Sequence, residues 1–201
     1  MNKWVIIVVA ALGIYYFWNY SGDIKNKGNS NVTIVAFGDS LTEGYGVSAE
    51  ESYPAVLAGK VGRPVVNLGR SGETAVEGAL RVPEVLTYSP YMVLIEFGAN
   101  DFMRAMSMTD AVKAVEQIVD SVQRAGAIAV IVDTGAPGMG GYTRAYKRMA
   151  QEKGAVFVPS IMGDILKKPE LKSDQVHPNA KGYALVADKV YKKIKPYMKK
   201  N

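Results

Sequence analysis

Val32-Thr33-Ile34-Val35-Ala36-Phe37-Gly38-Asp39-Ser40-Leu41-Thr42-Glu43-Gly44 begins as an apolar run and stops abruptly on Gly38-Asp39-Ser40. Its apolar character is continuous rather than alternating, the pattern of a parallel strand covered on both faces. A small residue beside a serine at the end of such a strand is informative. In open α/β sheets the reactive groups gather in the crevice beyond the carboxyl ends of the strands. The only histidine, His177, lies near the other end of the chain in Asp174-Gln175-Val176-His177-Pro178. A chain with one histidine has one imidazole general base to offer, so Ser40, Asp174 and His177 together suggest a serine hydrolase.

Working outward, further short β-branched runs predict strands over 33–37, 64–68, 92–97, 127–133 and 155–158. Helical patterns alternate with them over 52–61, 74–82, 109–125, 142–152 and 179–197. In the third of these, Val112, Val115, Ile118, Val119 and Val122 recur at helical spacing, Ala111 and Ala114 widen the stripe, and Gly126 stops it. This alternation predicts one doubly wound α/β domain of three layers. A length of 201 residues suits a single core, and no repeat or interior linker argues for a second one.

Composition excludes several chemistries. With no cysteine there is no disulfide, thiol nucleophile or thiolate metal site, and a single histidine rules out a histidine-rich one. The expectation is no metal and no cofactor. The net charge of +5 is concentrated in the lysines from Lys189 to Lys200, with only Tyr191 and Tyr197 interleaved. A nucleic-acid surface would want aromatics among the basic residues on one face, so no nucleic-acid partner is expected.

Residues 4–18 are free of charged and strongly polar groups and follow Lys3. That is the layout of an export signal, although short for a membrane span and without a clean cleavage site. The expectation is a retained N-terminal membrane anchor or a cleaved signal peptide over 1–21, with a buried helix as the remaining reading. Either of the first two would place the rest of the chain outside the cytoplasmic membrane. Residues 22–31 read as a polar linker, leaving 32–201 as the catalytic domain.

A serine hydroxyl needs a neighbouring base, and the base needs a carboxylate to hold its tautomer. Asp174 stands three residues before His177, within reach of imidazole Nδ1 inside a tight turn, and Pro178 restricts His177 to a fixed loop. By spacing alone, the segment reads more readily as a surface His177 with Asp174 as a loop cap. Two more loops fall on the same sheet edge: Asn67-Leu68-Gly69-Arg70-Ser71-Gly72-Glu73-Thr74 and Gly98-Ala99-Asn100-Asp101. The backbone N–H groups of Ser40 and Gly69 and the Asn100 amide could together face an oxyanion. Alternatively the glycines only form turns and Asn100 caps the next element.

Gly38-Asp39-Ser40-Leu41, Asn67-x-Gly69-x-Ser71-Gly72-x-Thr74, Gly98-x-Asn100-Asp101 and Asp174-x-x-His177-Pro178 stand in order, and together they resemble the four blocks of the GDSL/SGNH hydrolase superfamily. The likeness spans about 32–198 and is nearest to the small thioesterase, lysophospholipase and arylesterase branch. It implies a flavodoxin-like five-stranded parallel sheet and hydrolysis of esters or thioesters. By the same likeness Ser40 is the nucleophile, His177 the base and Asp174 its orienting acid, with Ser40, Gly69 and Asn100 as the oxyanion hole. Ala99 stands where many relatives have glycine. Asp39 and Asp101 read as neighbours that shape the site.

Two methionine- and glycine-bearing loops, 102–108 and 136–142, offer apolar surface for an acyl chain. Phe102, Met103, Met106, Met139 and Tyr142 are the candidate substrate contacts, with Arg104 or Arg144 available to an anionic head group. These loops favour short- to medium-chain acyl groups. The alternative is a carbohydrate O-acetylesterase, which would want a shallow cleft with exposed aromatics. A non-catalytic binding protein would need a broken triad or oxyanion hole, and the sequence shows neither.

Overall fold

The computed structural model describes residues 23–198. Strands β1 (Ile34–Gly38), β2 (Val65–Asn67), β3 (Met92–Glu96), β4 (Ile128–Val132) and β5 (Val156–Val158) form one sheet. Their order is β2-β1-β3-β4-β5, with every neighbouring pair parallel. Successive strands lie first on one side of β1 and then on the other, so the crevice at the carboxyl ends of β1 and β3 is the switch point of the sheet.

Helices cover both faces. They are α1 (Ser40–Glu43), α2 (Tyr53–Val61), α3 (Ala75–Leu80), α4 (Val82–Leu86), α5 (Ala99–Met103), α6 (Met108–Arg124), α7 (Gly140–Lys153) and α8 (Ala180–Ile194). Alternate strand residues point to opposite layers. Val35, Phe37, Val93, Ile95, Ala129 and Ile131 pack with α3, α4, α6 and α7, while Ile34, Ala36, Met92, Leu94, Ile128 and Val130 pack with α2 and α8. Because both layers are apolar, β1, β3 and β4 are buried at every position, which explains their unbroken hydrophobic runs. The result is the three-layer α/β/α sandwich with a flavodoxin-like sheet that the sequence predicts.

The helical pattern over 74–82 resolves into two helices. Thr74 and Glu77 form a capping box at the start of α3, and Pro83 lies in the first turn of α4. Proline lacks the N–H that a continuing helix would use, but it suits the start of a new one. The helices α1 and α5 have four and five residues, too few to show periodicity in sequence.

Two expectations about the N-terminus change. The stretch after Gly22, read as a linker, is bonded to the domain: Asn26 Nδ2 donates to the carbonyls of Gln123 and Ala127, and Asn29 Nδ2 donates to that of Tyr91. The apolar segment 4–18 lies outside the described residues. Among those residues no helix is long and apolar enough to cross a membrane. The described residues thus give no support to membrane attachment, or to the location outside the cytoplasmic membrane expected from it.

Candidate active site

Ser40 opens α1 immediately beyond β1. Asp39 caps the helix, its Oδ1 accepting the Leu41 N–H at 3.0 Å, and Gly44 closes it with φ of 93°. Gly38 is required here by close approach, since a Cβ would run into Thr42 Oγ1 and the Glu96 carbonyl. Serine thus emerges at the strand tip with its side chain at the surface of the crevice.

The loop before α8 is tightly folded. Lys172 bridges Pro178 in antiparallel fashion, and the Ser173 N–H donates to the His177 carbonyl at 3.0 Å. Asp174 Oδ1 accepts the N–H groups of Val176 and His177, both at 2.8 Å. Its Oδ2 is left for His177 Nδ1, 2.7 Å away, and His177 Nε2 lies 3.0 Å from Ser40 Oγ. Ser40, His177 and Asp174 are therefore one continuous hydrogen-bonded chain. The Tyr45 ring lies against the imidazole at a tilt of 40°, with centroids 4.5 Å apart.

Partial burial works to raise the Asp174 pKa. The two backbone N–H groups and the imidazole outweigh it, and the carboxyl is held down at about 2. Asp174 is therefore ionised at neutral pH.

Asn100 Nδ2 donates to Asp39 Oδ2 at 3.1 Å and to the Glu73 carbonyl at 3.0 Å. That carbonyl is steadied by Arg81, whose Nε donates to Glu73 Oε1 at 2.6 Å while its guanidinium covers the Phe37 ring. Gly69 departs from expectation. Its N–H is engaged by Asn67 Oδ1 at 2.9 Å, and a Cβ there would strike the backbone of Thr42 and Glu43. Gly69 is thus a close-packing residue between loop and helix. The N–H groups of Ser40 and Gly72 have no acceptor among the described residues, and Gly72 precedes the carbonyl that holds Asn100.

A cavity of about 340 Å³ opens beside Ser40 and His177. Of the candidate substrate contacts, Phe102, Met103 and Met139 border it, while Met106 and Tyr142 do not. Tyr142 is 3% exposed and packs edge-on to Phe102 at 6.3 Å, so it supports the wall from behind. Arg104 donates to the Gly72 carbonyl at 2.7 Å instead of lining the cavity. Sequence reasoning missed Thr134, Met162 and Leu166, which complete the lining from the loops after β4 and β5. These loops have no periodicity, so nothing in them marked which residues turn inward. Among the described residues no cluster of His, Cys, Asp or Glu could hold a metal ion.

Residues 36–185 match the model of the GDSL-like Lipase/Acylhydrolase family. The chain belongs to that family. It is 30% identical over 174 residues to "Thioesterase 1/protease 1/lysophospholipase L1" of Escherichia coli K12, covering 82% of this chain and 84% of that protein. It is 26% identical to an arylesterase of Vibrio mimicus, over 80% and 87% of the two chains. The structure of the psychrotrophic esterase EstA from Pseudoalteromonas sp. superimposes with a TM-score of 0.75 and 29% identity, over 83% of this chain and 98% of that one. Like other GDSL-family enzymes, the protein is a serine-type carboxylic ester hydrolase acting on esters or thioesters.

Proposed function

We propose that Ser40 is the acyl-accepting nucleophile, His177 the general base and Asp174 the carboxylate that orients it, and that the substrates carry short- to medium-chain acyl groups. The observation that carries this reading is the unbroken chain from Ser40 Oγ through both nitrogens of His177 to Asp174, set at the mouth of an apolar cavity. In the first half-reaction His177 Nε2 takes the Ser40 proton as Oγ attacks the acyl carbonyl. The oxyanion forms against the N–H groups of Ser40 and Gly72 and against Asn100 Nδ2, whose bond to Asp39 is exchanged for one to the oxyanion. His177 then protonates the departing alcohol or thiol, and the same imidazole activates water to release the acid. Asp174 stays ionised throughout and stabilises the imidazolium.

The walls support the acyl-chain preference. Leu41, Phe102, Met103, Met139, Met162 and Leu166 give a flexible apolar lining, and the volume exceeds that of about ten liquid waters, far more than an acetyl group fills. The shallow aromatic cleft expected of a carbohydrate O-acetylesterase finds no such support.

The test is initial rates of the full chain and Ser40→Ala on nitrophenyl esters of increasing chain length. Ser40→Ala should lower kcat by about 10⁶-fold. An optimum at medium chain length is expected. Undiminished hydrolysis by Ser40→Ala would remove the nucleophile assignment, and a sharp optimum at acetate would remove the acyl-chain reading.

A further inference from the structure

Beneath the nucleophile lies a second acidic centre that the catalytic cycle above does not use. Parallel pairing sets Gly38 of β1 level with Glu96 of β3, which brings the next residue, Asp39, against the Glu96 side chain. Both carboxyls are buried, at 1% and 0% exposure, and lie close enough for each to bear directly on the other's ionisation. Glu96 Oε1 accepts from Thr134 Oγ1 at 3.1 Å and Oε2 from Thr42 Oγ1 at 3.2 Å. Asp39 Oδ1 accepts the Leu41 N–H, and Oδ2 accepts from Asn100 Nδ2. No Lys or Arg among the described residues forms an ion pair with either carboxyl.

Two buried carboxyls in contact cannot both ionise cheaply, because desolvation and mutual repulsion both favour keeping a proton. Burial first, and the charge of Glu96 second, push Asp39 well above the carboxylate range. Burial also raises Glu96, against donation from Asp39, Thr134 and Thr42. With two hydroxyl donors aimed at Glu96, the proton rests on Asp39.

The other ionisable groups nearby do not replace it. Tyr53 of α2, Tyr146 of α7 and Tyr183 of α8 face the pair and are themselves raised by burial, hence neutral. His177 lowers Asp39 only weakly. The remaining acids are turned elsewhere: Glu43 of α1 to Ser71, Asp101 of α5 to the Ala75 N–H, and Asp133 after β4 to Thr143.

We infer that Asp39 and Glu96 are a positioning pair that shares one proton during turnover, and that this proton keeps the Asn100 amide available to the oxyanion. The inference rests on the proposed role of Asn100. A neutral Asp39 accepts weakly from Asn100 Nδ2, so the Asn100 side chain can give up that bond and shift its amide N–H to the developing oxyanion. A charged Asp39 would clamp the same amide with a stronger charge-assisted bond and place a second anion beside the one being formed. Loss of the shared proton therefore lowers kcat on the alkaline side. KM is little affected, because the interaction lost belongs to the transition state.

The experiment combines pH profiles of kcat and KM with infrared spectra of the full chain, for wild type, Glu96→Gln and Asp39→Asn. Glu96→Gln removes the charge that helps to hold the proton, so the alkaline midpoint of kcat should move to lower pH with KM unchanged. In Asp39→Asn the amide nitrogen can donate to Glu96 but cannot accept, so either the Leu41 or the Asn100 bond is given up, and the residual kcat should show no alkaline limb. The wild-type minus Asp39→Asn spectrum at neutral pH should contain the C=O band of a protonated buried carboxyl. Absence of that band, or an alkaline midpoint that Glu96→Gln leaves in place, would overturn the inference. If Asp39→Asn does not fold, the Glu96→Gln midpoint decides alone. The infrared reading needs no turnover, so an error in the catalytic assignment would appear separately, in Ser40→Ala and Asn100→Ala.

Discussion

Asp174 and Asp39 both serve the Ser40 site, one through His177 and the other through Asn100, yet their surroundings are opposites. Asp174 sits on a loop with its side chain 42% exposed and receives two backbone N–H groups and an imidazole. Asp39 is 1% exposed and abuts another carboxyl. The same side chain is held ionised in one place and neutral in the other. Sequence adjacency to the nucleophile is therefore a poor guide to which aspartate is the triad acid. Solvation and donors decide it, because they determine which carboxyl can carry charge beside an imidazolium.

The harshest way to break this contrast is to neutralise the exposed member. Asp174→Asn should lower kcat by about 10⁴-fold through loss of the correct imidazole tautomer. Steady-state kinetics at neutral pH check it, and a loss below tenfold would mean that Asp174 does not orient His177. Asn100→Ala comes next, removing the donor that Asp39 holds. A fall of about 10²–10³-fold in kcat with little change in KM is expected. A change confined to KM would place Asn100 in substrate binding instead.

The stability consequences sharpen the contrast, since their signs differ. Asp39 is raised in the folded state, so its contribution is full below the ordinary carboxylate range and is lost as pH climbs toward its folded value. Urea midpoints of Asp39→Asn should accordingly gain on wild type as pH rises from mildly acidic to alkaline. Thr134→Val, which strips one donor from buried Glu96, should cost about 1–3 kcal/mol at neutral pH. Asp174 is depressed, so its contribution is present above the ordinary carboxylate range and is lost as pH falls toward about 2. Because the carboxylate is exposed and screened, that last effect should stay within about 1 kcal/mol. Equal slopes for the Asp39→Asn and Asp174→Asn differences against pH would dissolve the comparison.

Much of this site was open to reading in one dimension. The continuous apolar runs at β1, β3 and β4 marked buried parallel strands, and their tips marked the sheet edge. That Ser40, Asp174 and His177 would meet was suggested by a strand-end serine and an Asp–His pair in a chain with one histidine, but their proposed roles rested on the resemblance of four ordered blocks to a known family. Glu96 was not legible, because a single acidic residue after Met92-Val93-Leu94-Ile95 reads as an ordinary strand end. Gly69 and Gly72 share one loop and look alike in sequence. What separates them is that one N–H is engaged by Asn67 and the other has no acceptor among the described residues. Met106 and Tyr142 suited a substrate pocket by type, but one faces solvent and the other lies behind Phe102.

The layer architecture and the strand tips thus follow from local pattern, since hydrophobic periodicity is a property of neighbouring residues, while the proposed triad was readable only through the ordered blocks that resemble a known family. The charge state beneath the nucleophile, the choice of oxyanion glycine and the shape of the acyl cavity do not follow from local pattern. Each depends on sheet register or loop packing that brings residues distant in the chain to within hydrogen-bonding range, where burial rather than residue type sets what they can do.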